Sequence, residues 1–580
     1  MPNHPRAVHG AYNMCSNTRR DRASLSIGSH VGPTGRWFLG KHHKVNTNAA
    51  KTDGEGSPPP GQAMGASRWH WPARLGMCVL VATVYGLTLH PGVSRGDSAE
   101  LQYASATLGV CHSPGYQVEV HFGKLFSLLP VGDVAWRVNL MMVVFGVLGC
   151  LVLYDTVQRI TGRLLPAWVA ATTLAFSSAY WSHAIVAEVY VFYGAFLLAG
   201  VWAATRFVFT NKAAWLYVMS LVLGVCCWDR PSEFFVLPGF LAMWLAFRGR
   251  VKLGALRLAV AAALFLAPLA FSVSSYLVHF APQRLPNRDD ALRDEILSRP
   301  RGDPRFASMG TLPRALCYCL GLGWADQGLP AERAWTDLER YGFHLSGAGA
   351  FDDIGQLDKR TTNIEQGCGT SLGCLGFFLA VWGSILWRRQ YGWVLLGWGL
   401  FAGNLAFYLW NSRWDGLTFI VPGMAGLSLL AGLGAAWLPR TAGARRRVFQ
   451  AACLAVPLFL LATNYPFLDR STSDEHHRQE MLRDVAATPL TRESAFLLTY
   501  WPAMTFRALL HVETSRPDIH VFRLDKTEDF HPVLDYCRKK GWAAFLPVTY
   551  FGPSPEVRAA AARTPKALRE IGLIQVASPP

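Results

Sequence analysis

The sequence has few charged residues for its length. Of its 580 residues, 16% are charged and 51% are hydrophobic. A soluble protein carries charges on about a quarter of its residues, so one soluble core cannot account for the whole chain. The 21 Trp and 33 Phe residues support the same conclusion, because aromatic side chains are enriched where helices enter a bilayer. The composition therefore indicates a membrane protein.

Several motifs with a defined chemistry are missing from the sequence. It has no Gly-x-x-x-x-Gly-Lys-Ser/Thr, so an ATP-driven motor of the P-loop type is not supported. It has no pair of Cys-x-x-Cys motifs that would indicate zinc. No apolar segment of signal-peptide type precedes Trp71. We predict no metal and no cofactor; a divalent ion is compatible with the sequence but is not supported by it.

The basic residues lie where membrane orientation requires them. The formal net charge is +16, and the excess lies in the first 75 residues and in short loops between apolar runs. This distribution is expected from insertion into a membrane, so we predict no nucleic-acid partner. Residues 1–70 are basic and contain a Ser-Pro-Pro-Pro-Gly stretch. We predict that they form a disordered cytoplasmic tail or precede the true start of the protein.

Apolar runs recur along residues 71–464. A helix needs about 20 apolar residues to cross a bilayer, and on this criterion the sequence predicts about eleven crossings. The runs are 71–89, 138–154, 164–180, 185–208, 213–228, 234–247, 253–280, 371–387, 391–410, 417–438 and 448–463.

The connections between these runs predict the orientation of the chain. Alternate connections carry basic residues in pairs, such as Arg159 with Arg163 and Arg388 with Arg389. By the positive-inside rule these connections are cytoplasmic, so we expect the N-terminus inside and the C-terminus outside. The protein is then a multi-pass integral membrane protein of the plasma or inner membrane in a bacterium, or of the endoplasmic reticulum in a eukaryote. Its long external loops are 90–137 and 281–370.

Residues 465–580 have the composition of a soluble domain. The alternation of apolar residues predicts strands at 494–499, 519–524 and 543–549, with helices at 505–513 and 532–540. We therefore predict a small external α/β domain at the C-terminus. Its role is either acceptor binding or that of a structural cap.

The first external loop gathers acid and imidazole side chains between two membrane spans. Asp97 and Glu100 lie just after the first apolar run, and His112 precedes the turn at Pro114-Gly115. Hydrocarbon penalises ionisable groups, so such groups at a membrane mouth indicate function. If the segment is helical, the i, i+3 spacing sets both carboxylates on one face.

Short motifs follow one another in a fixed order along residues 93–210. They are Gly96-Asp97-Ser98-Ala99-Glu100, His112-Ser113-Pro114-Gly115-Tyr116, Gly123-Lys124-Leu125-Phe126, Trp136-Arg137-Val138-Asn139-Leu140 and Ala187-Glu188-Val189-Tyr190. In order and spacing they resemble a large family of polytopic membrane proteins that includes an animal protein O-mannosyltransferase. Two positions depart from the family: Ser113 replaces a proline, and Thr499-Tyr500-Trp501 lies where a Gly-Asp pair is expected.

The resemblance implies a glycosyltransferase of the multi-spanning, GT-C-like type. Such an all-α membrane enzyme would transfer a mannose-like sugar from a polyprenyl-phosphate donor to an acceptor hydroxyl on the non-cytoplasmic face. Its partners would be the polyprenyl-phosphate-linked sugar, a protein or glycan acceptor and the lipid bilayer. The catalytic residues would be Asp97 and Glu100. The residues that contact the sugar donor's phosphate or the substrate would be His112, Tyr116, Arg137, Asn139, Glu188, Tyr190 and Arg230.

Several of these residues also have a structural interpretation. Asp97 could cap a helix, His112 could hydrogen-bond the Pro-Gly turn, and Arg137 could anchor a helix end at the interface. Glu188 could hydrogen-bond a neighbouring helix.

Two other classes of protein would also fit the sequence. A multi-spanning transporter or lipid flippase likewise uses ionisable residues within the membrane, although the chain shows no internal repeat of the transporter type. A non-catalytic assembly protein would use its external tail to bind a partner.

Overall fold

The computed structural model describes residues 69–299, 308–322, 372–410, 420–437, 443–491, 493–524, 526–547 and 564–577. Nearly all of the predicted N-terminal tail, and residues 300–307 and 323–370 of the predicted loop 281–370, lie outside these ranges. Residues 60–580 form one compact unit.

The described part of the chain is mostly helical. Its helices before residue 300 are α1 (His70–Leu87), α2 (Gly96–Thr107), α3 (Gln117–Ser127), α4 (Val134–Thr161), α5 (Leu164–Phe176), α6 (Ser178–Ala184), α7 (Val189–Thr210), α8 (Ala213–Asp229), α9 (Leu237–Phe247), α10 (Ala255–His279) and α11 (Leu285–Ile296). Those after it are α12 (Thr311–Cys319), α13 (Gly373–Leu386), α14 (Tyr391–Trp410), α15 (Val421–Ala435), α16 (Ala444–Leu468), α17 (Ser473–Ala487), α18 (Tyr500–Arg507), α19 (Phe530–Lys540) and α20 (Lys566–Glu570).

A helix is found at every predicted apolar run. Within the described residues, 5 segments are able to cross a membrane by length and composition: α4, α7, α10, Arg388–Leu409 and Ala444–Ala487. Shorter apolar helices are α5, α8, Pro231–Phe247, α13 and α15. The protein is thus a mostly helical chain with several helices suited to a membrane. The number of crossings and the side on which each terminus lies stay predictions.

Glycine lets several of the apolar helices approach each other closely. A Cβ atom on Gly399 of α14 would lie 2.3 Å from the Cα of Gly239 on α9. A Cβ atom on Gly383 of α13 would lie 2.2 Å from the carbonyl oxygen of Leu430 on α15. Lipid provides no hydrophobic drive for helix association, so close backbone packing of this kind is a main source of cohesion between membrane helices.

The tail contains a four-stranded sheet with the order β2-β1-β3-β4. Strand β1 pairs in parallel with β2 and β3, and β3 pairs antiparallel with β4. Three of the strands lie where the sequence predicted strands, whereas β4 was not predicted. The strands are β1 (Ser494–Leu498), β2 (His520–Arg523), β3 (Ala543–Pro547) and β4 (Leu573–Ala577).

One face of this sheet shares an apolar core with the predicted first external loop. Phe496 of β1 and Ala503 of α18 belong to the same buried cluster as Val93, Ala99 and Tyr103. Ala99 and Tyr103 lie on α2, the helix that carries the predicted catalytic acids. The tail is therefore packed directly against the region of interest.

Two acidic residues of α11 also form hydrogen bonds with the tail. Asp290 accepts two hydrogen bonds from the guanidinium group of Arg507, each 2.9 Å long. Asp289 accepts a 2.8 Å hydrogen bond from the backbone N–H of Val521 and contacts Nδ1 of His520 at 2.8 Å. Because Arg507 is 3% exposed, its charge depends on this carboxylate partner.

Candidate active site

Helix α2 presents the two predicted acids on one side. It begins at Gly96, whose φ of 63° is in the left-handed region that glycine adopts readily. Asp97 and Glu100 follow within its first turns, so the predicted i, i+3 arrangement is observed. Their surroundings differ: the side chain of Asp97 is 36% exposed, whereas that of Glu100 is 7% exposed. Asp97 is thus the more accessible of the two acids.

The turn after Cys111 brings His112 back onto α2. Tyr318 of α12 braces this turn, because its hydroxyl group donates to the carbonyl oxygen of Cys111. The hydroxyl group of Ser113 in turn donates to the carbonyl oxygen of Tyr318 at 2.7 Å. Gly115 has a φ of 98°, and a Cβ atom there would lie 3.3 Å from the Tyr318 ring. The Ser-Pro-Gly turn therefore has a defined position relative to the acids.

His112 lies between the two acids. Its Nδ1 is 2.5 Å from Oε2 of Glu100 and 3.7 Å from Oδ1 of Asp97. Its backbone N–H donates to Oε1 of Glu100 at 2.9 Å. Burial lowers the pKa of His112, but Asp97 and Glu100 more than offset this and raise it to about 9. Burial raises the pKa of Glu100, but His112 and then Tyr500 bring it below its usual value. At neutral pH the cluster therefore holds an imidazolium at His112 and an ionised carboxylate at Glu100.

Tyr500 of the tail completes this group and was not predicted. Its hydroxyl group donates to Oε2 of Glu100 at 2.7 Å and lies 3.4 Å from Oδ1 of Asp97 and 3.3 Å from Nδ1 of His112. The guanidinium carbon of Arg523 is 4.4 Å from the centre of the Tyr500 ring. One feature of the sequence points to Tyr500. It follows a predicted strand, and the ends of parallel strands often carry functional groups.

Tyr116 lies near the second ring nitrogen of His112, Nε2, whereas Glu100 and Tyr500 lie near Nδ1. Its hydroxyl group is 3.5 Å from Nε2 of His112, and the two rings meet edge to face with centroids 5.3 Å apart. We call Asp97, Glu100, His112, Tyr116 and Tyr500 the acid–histidine cluster.

Glu188, Tyr190 and Arg230 lie beside the acid–histidine cluster, in the part of the site nearest the membrane helices. Glu188 accepts a 2.8 Å hydrogen bond from the hydroxyl group of Ser98, the residue that follows Asp97. The guanidinium carbon of Arg230 is 4.5 Å from the centre of the Tyr190 ring. Arg230 is 3% exposed and pairs with Glu233 at 2.9 Å.

The structure does not bring Arg137 and Asn139 into the cluster. Arg137 donates to the carbonyl oxygens of Ser127, Val131 and Gly132, so it holds the turn between α3 and α4. Asn139 is fully buried; it donates to the carbonyl oxygens of His90 and Gly92 and accepts from Gln102 and Ala187. Both side chains thus have structural contacts. Their assignment to the sugar donor stays a prediction that this arrangement does not favour.

Two further buried acids were missed by the sequence analysis. Asp229 accepts the backbone N–H groups of Gln117 and Val118 at 3.1 and 2.9 Å, and so fixes the N-terminus of α3. Glu119 is 1% exposed, and within the described residues neither of its carboxylate oxygens has a hydrogen-bond partner. Burial raises the pKa of Glu119 well above its usual value, and Glu188 and Asp229 add to the effect.

Part of the cluster also has the residue types of a metal site. Asp97, Glu100 and His112 each offer one ligand atom, and these atoms lie within 4.8 Å of one another. Carboxylate oxygen and imidazole nitrogen are ligands for several divalent ions. In the structure, Glu100 and His112 are hydrogen-bonded to each other, whereas Oδ1 of Asp97 lies 3.7 Å from Nδ1 of His112.

The segment that carries Asp97, Glu100, His112 and Tyr116 has counterparts among known proteins. Residues 97–255 match the family model of the protein O-mannosyl-transferase TMEM260 N-terminal domain. The family resemblance seen in the sequence is thereby confirmed. The match begins at Asp97 and includes Glu100, His112, Glu188 and Arg230.

Curated relatives match over a limited part of their length. Mouse protein O-mannosyl-transferase TMEM260 is 38% identical over 141 residues, which are 24% of this chain and 20% of the relative. The Dictyostelium discoideum protein of the same name is 28% identical over 182 residues, which are 28% of this chain and 22% of the relative. The match thus covers about a fifth of each relative.

Two solved structures have a weaker likeness to this chain. ArnT from Cupriavidus metallidurans, bound to undecaprenyl phosphate, is 13% identical with a TM-score of 0.48, covering 86% of this chain and 95% of that chain. The S. cerevisiae Pmt1-Pmt2 O-mannosyltransferase complex, bound to the sugar donor, is 17% identical with a TM-score of 0.30, covering 37% and 34%. Scores below 0.5 do not establish a shared fold.

Proposed function

We propose that the protein is a membrane glycosyltransferase that moves a mannose-like sugar from a polyprenyl-phosphate donor to an acceptor hydroxyl group on the non-cytoplasmic face. The observation that carries the proposal is the unequal exposure of two neighbouring acids. Asp97 is 36% exposed, whereas Glu100 is 7% exposed and bound to His112. The family match over residues 97–255 supports the reaction class.

The arrangement supports Asp97 as the general base. The carboxylate of Asp97 would accept the proton of the acceptor hydroxyl group as its oxygen attacks the anomeric carbon. The bond from that carbon to the phosphate oxygen breaks, and polyprenyl phosphate leaves with the electron pair. His112 and Glu100 would hold the base in place, because the imidazolium lies between the two carboxylates.

The leaving phosphate requires positive charge near the reacting carbon. Arg230, beside Tyr190, and Arg523, over the Tyr500 ring, are arginines next to the cluster. A guanidinium group can bind two phosphate oxygens at once. We assign these two arginines to the phosphate, with Arg230 on the side of the membrane helices and Arg523 on the side of the tail.

A transfer assay tests the proposal. Purified protein in lipid vesicles would receive labelled polyprenyl-phosphate mannose together with Ser/Thr peptides and glycan acceptors. We expect label on an acceptor from the lipid-linked sugar and none from a nucleotide-linked mannose. If labelled lipid crosses the bilayer without transfer to any acceptor, the transporter alternative is correct and the proposal is wrong.

A further inference from the structure

We infer that Tyr500 is a positioning residue for the proposed transfer, so that the tail supplies part of the active site. This inference rests on the proposed function. It also gives the tail a third role besides the two that the sequence left open, acceptor binding and a structural cap.

The sheet directs Tyr500 toward the cluster. All five residues of β1 are buried, and Tyr500 is the first residue of the helix that follows this strand. Strands β1 and β2 are parallel, with Leu498 opposite Arg523. The carboxyl ends of both strands therefore meet at one edge. Tyr500 and Arg523 come together at that edge, where parallel sheets commonly place functional groups.

Apolar packing fixes the distance between this edge and α2. Ala99 and Tyr103 of α2 share a buried core with Ala503 and Met504 of α18. The hydroxyl group of Thr505 donates to the carbonyl oxygen of Ser94, just before α2, at 3.2 Å. The position of the Tyr500 hydroxyl relative to Glu100 is thus set by contacts on both sides, since α2 and α18 cannot move independently.

The hydroxyl group acts on the cluster through Glu100. Oε2 of Glu100 accepts from Tyr500 and contacts His112, and Oε1 accepts the backbone N–H of His112. These bonds fix the carboxylate plane, and the carboxylate in turn holds the imidazole 3.7 Å from Asp97. Hydrogen bonds to ionised groups are stronger than neutral ones. Loss of the phenol oxygen should therefore loosen His112 and misplace Asp97, without removing a group that binds the substrate.

The variant Tyr500→Phe tests this role in the full-length protein. It keeps the ring beneath Arg523 and removes one oxygen atom. We expect kcat to fall on the order of tenfold, with KM for polyprenyl-phosphate mannose within about twofold of the parent. The matched control is Tyr536→Phe, in the same domain, whose ring packs on Trp542. It should leave kcat and KM unchanged.

A second measurement checks the contact without relying on transfer. The apparent melting temperature is measured for Tyr500→Phe, Glu100→Gln and the double variant. Because the two groups share a hydrogen bond, we expect the shifts to be non-additive.

Parent-like kcat for Tyr500→Phe, or additive shifts in melting temperature, would overturn the inference. If the parent itself transfers no sugar, the proposed function fails and the catalytic role of Tyr500 fails with it. Non-additive shifts would then show that the contact exists while the reaction is a different one.

Discussion

Replacing His112 by glutamine should remove a stabilising interaction that exists at neutral pH and disappears at high pH. Glutamine can still donate a hydrogen bond to Glu100 but carries no positive charge. Burial opposes the charge of the imidazole, yet Asp97 and Glu100 raise the pKa of His112 from 6.5 to about 9. A shift of this size corresponds to about 3 kcal/mol, at about 1.4 kcal/mol for each pKa unit.

The sign of the pH dependence follows from the raised pKa. The folded protein binds this proton more tightly than the unfolded chain does, so the stabilisation is complete below pH 6.5 and is lost as the pH rises through about 9. The assay is thermal unfolding of the parent and of His112→Gln in the same detergent from pH 6.5 to 10. Titrating groups that do not contact His112 are common to both proteins and cancel in the difference.

The difference in apparent melting temperature should be largest near pH 6.5 and should shrink toward high pH. A difference that stays constant across this range would refute the ion-pair account of His112. So would a variant that is more stable than the parent at pH 7.

Three further predictions concern the surroundings of the cluster. Glu119→Gln should raise the melting temperature at pH 8, because burial raises the pKa of the Glu119 carboxyl group and its ionisation at that pH opposes folding; an unchanged or lower melting temperature would contradict this. Asp290→Asn should lower the free energy of unfolding by about 3 kcal/mol, since it leaves the buried Arg507 charge without its carboxylate partner. The matched control is Asp535→Asn, which breaks the pair of Arg538 and Asp535, whose side chains are 53% and 60% exposed. It should lower the free energy of unfolding by less than about 1 kcal/mol. A chelator such as EDTA should leave transfer unchanged, and loss of activity that a divalent ion restores would show that Asp97 works with a metal.

The parts of the site predicted from sequence are those that are close together in the chain. Asp97, Glu100 and His112 lie on one loop, where helical spacing and the turn at Pro114-Gly115 could be seen directly. Tyr500 joins them only through tertiary packing, from about 400 residues further along the chain. The strand before it was predicted, but which residue of the following helix would contact Glu100 depends on how the sheet packs on α2.

Arg137 and Asn139 were predicted to bind the substrate, but the structure gives them structural contacts. Both have polar side chains at the start of a predicted membrane helix, on the side predicted to be external, and this position favoured contact with a lipid phosphate. The structure instead uses both to bind backbone carbonyls in neighbouring turns. Those turns have no sequence pattern that reveals their open carbonyl groups, so a structural arginine and a phosphate-binding arginine look the same in the sequence.

The most direct test of the account is the transfer rate of Asp97→Asn with polyprenyl-phosphate mannose. The substitution keeps the size of the side chain and removes the proton acceptor. Single-turnover rates should fall by on the order of a hundredfold or more relative to the parent, while binding of the lipid-linked sugar remains close to the parent value. An Asp97→Asn protein that transfers the sugar at the parent rate would exclude Asp97 as the general base and contradict the proposed mechanism.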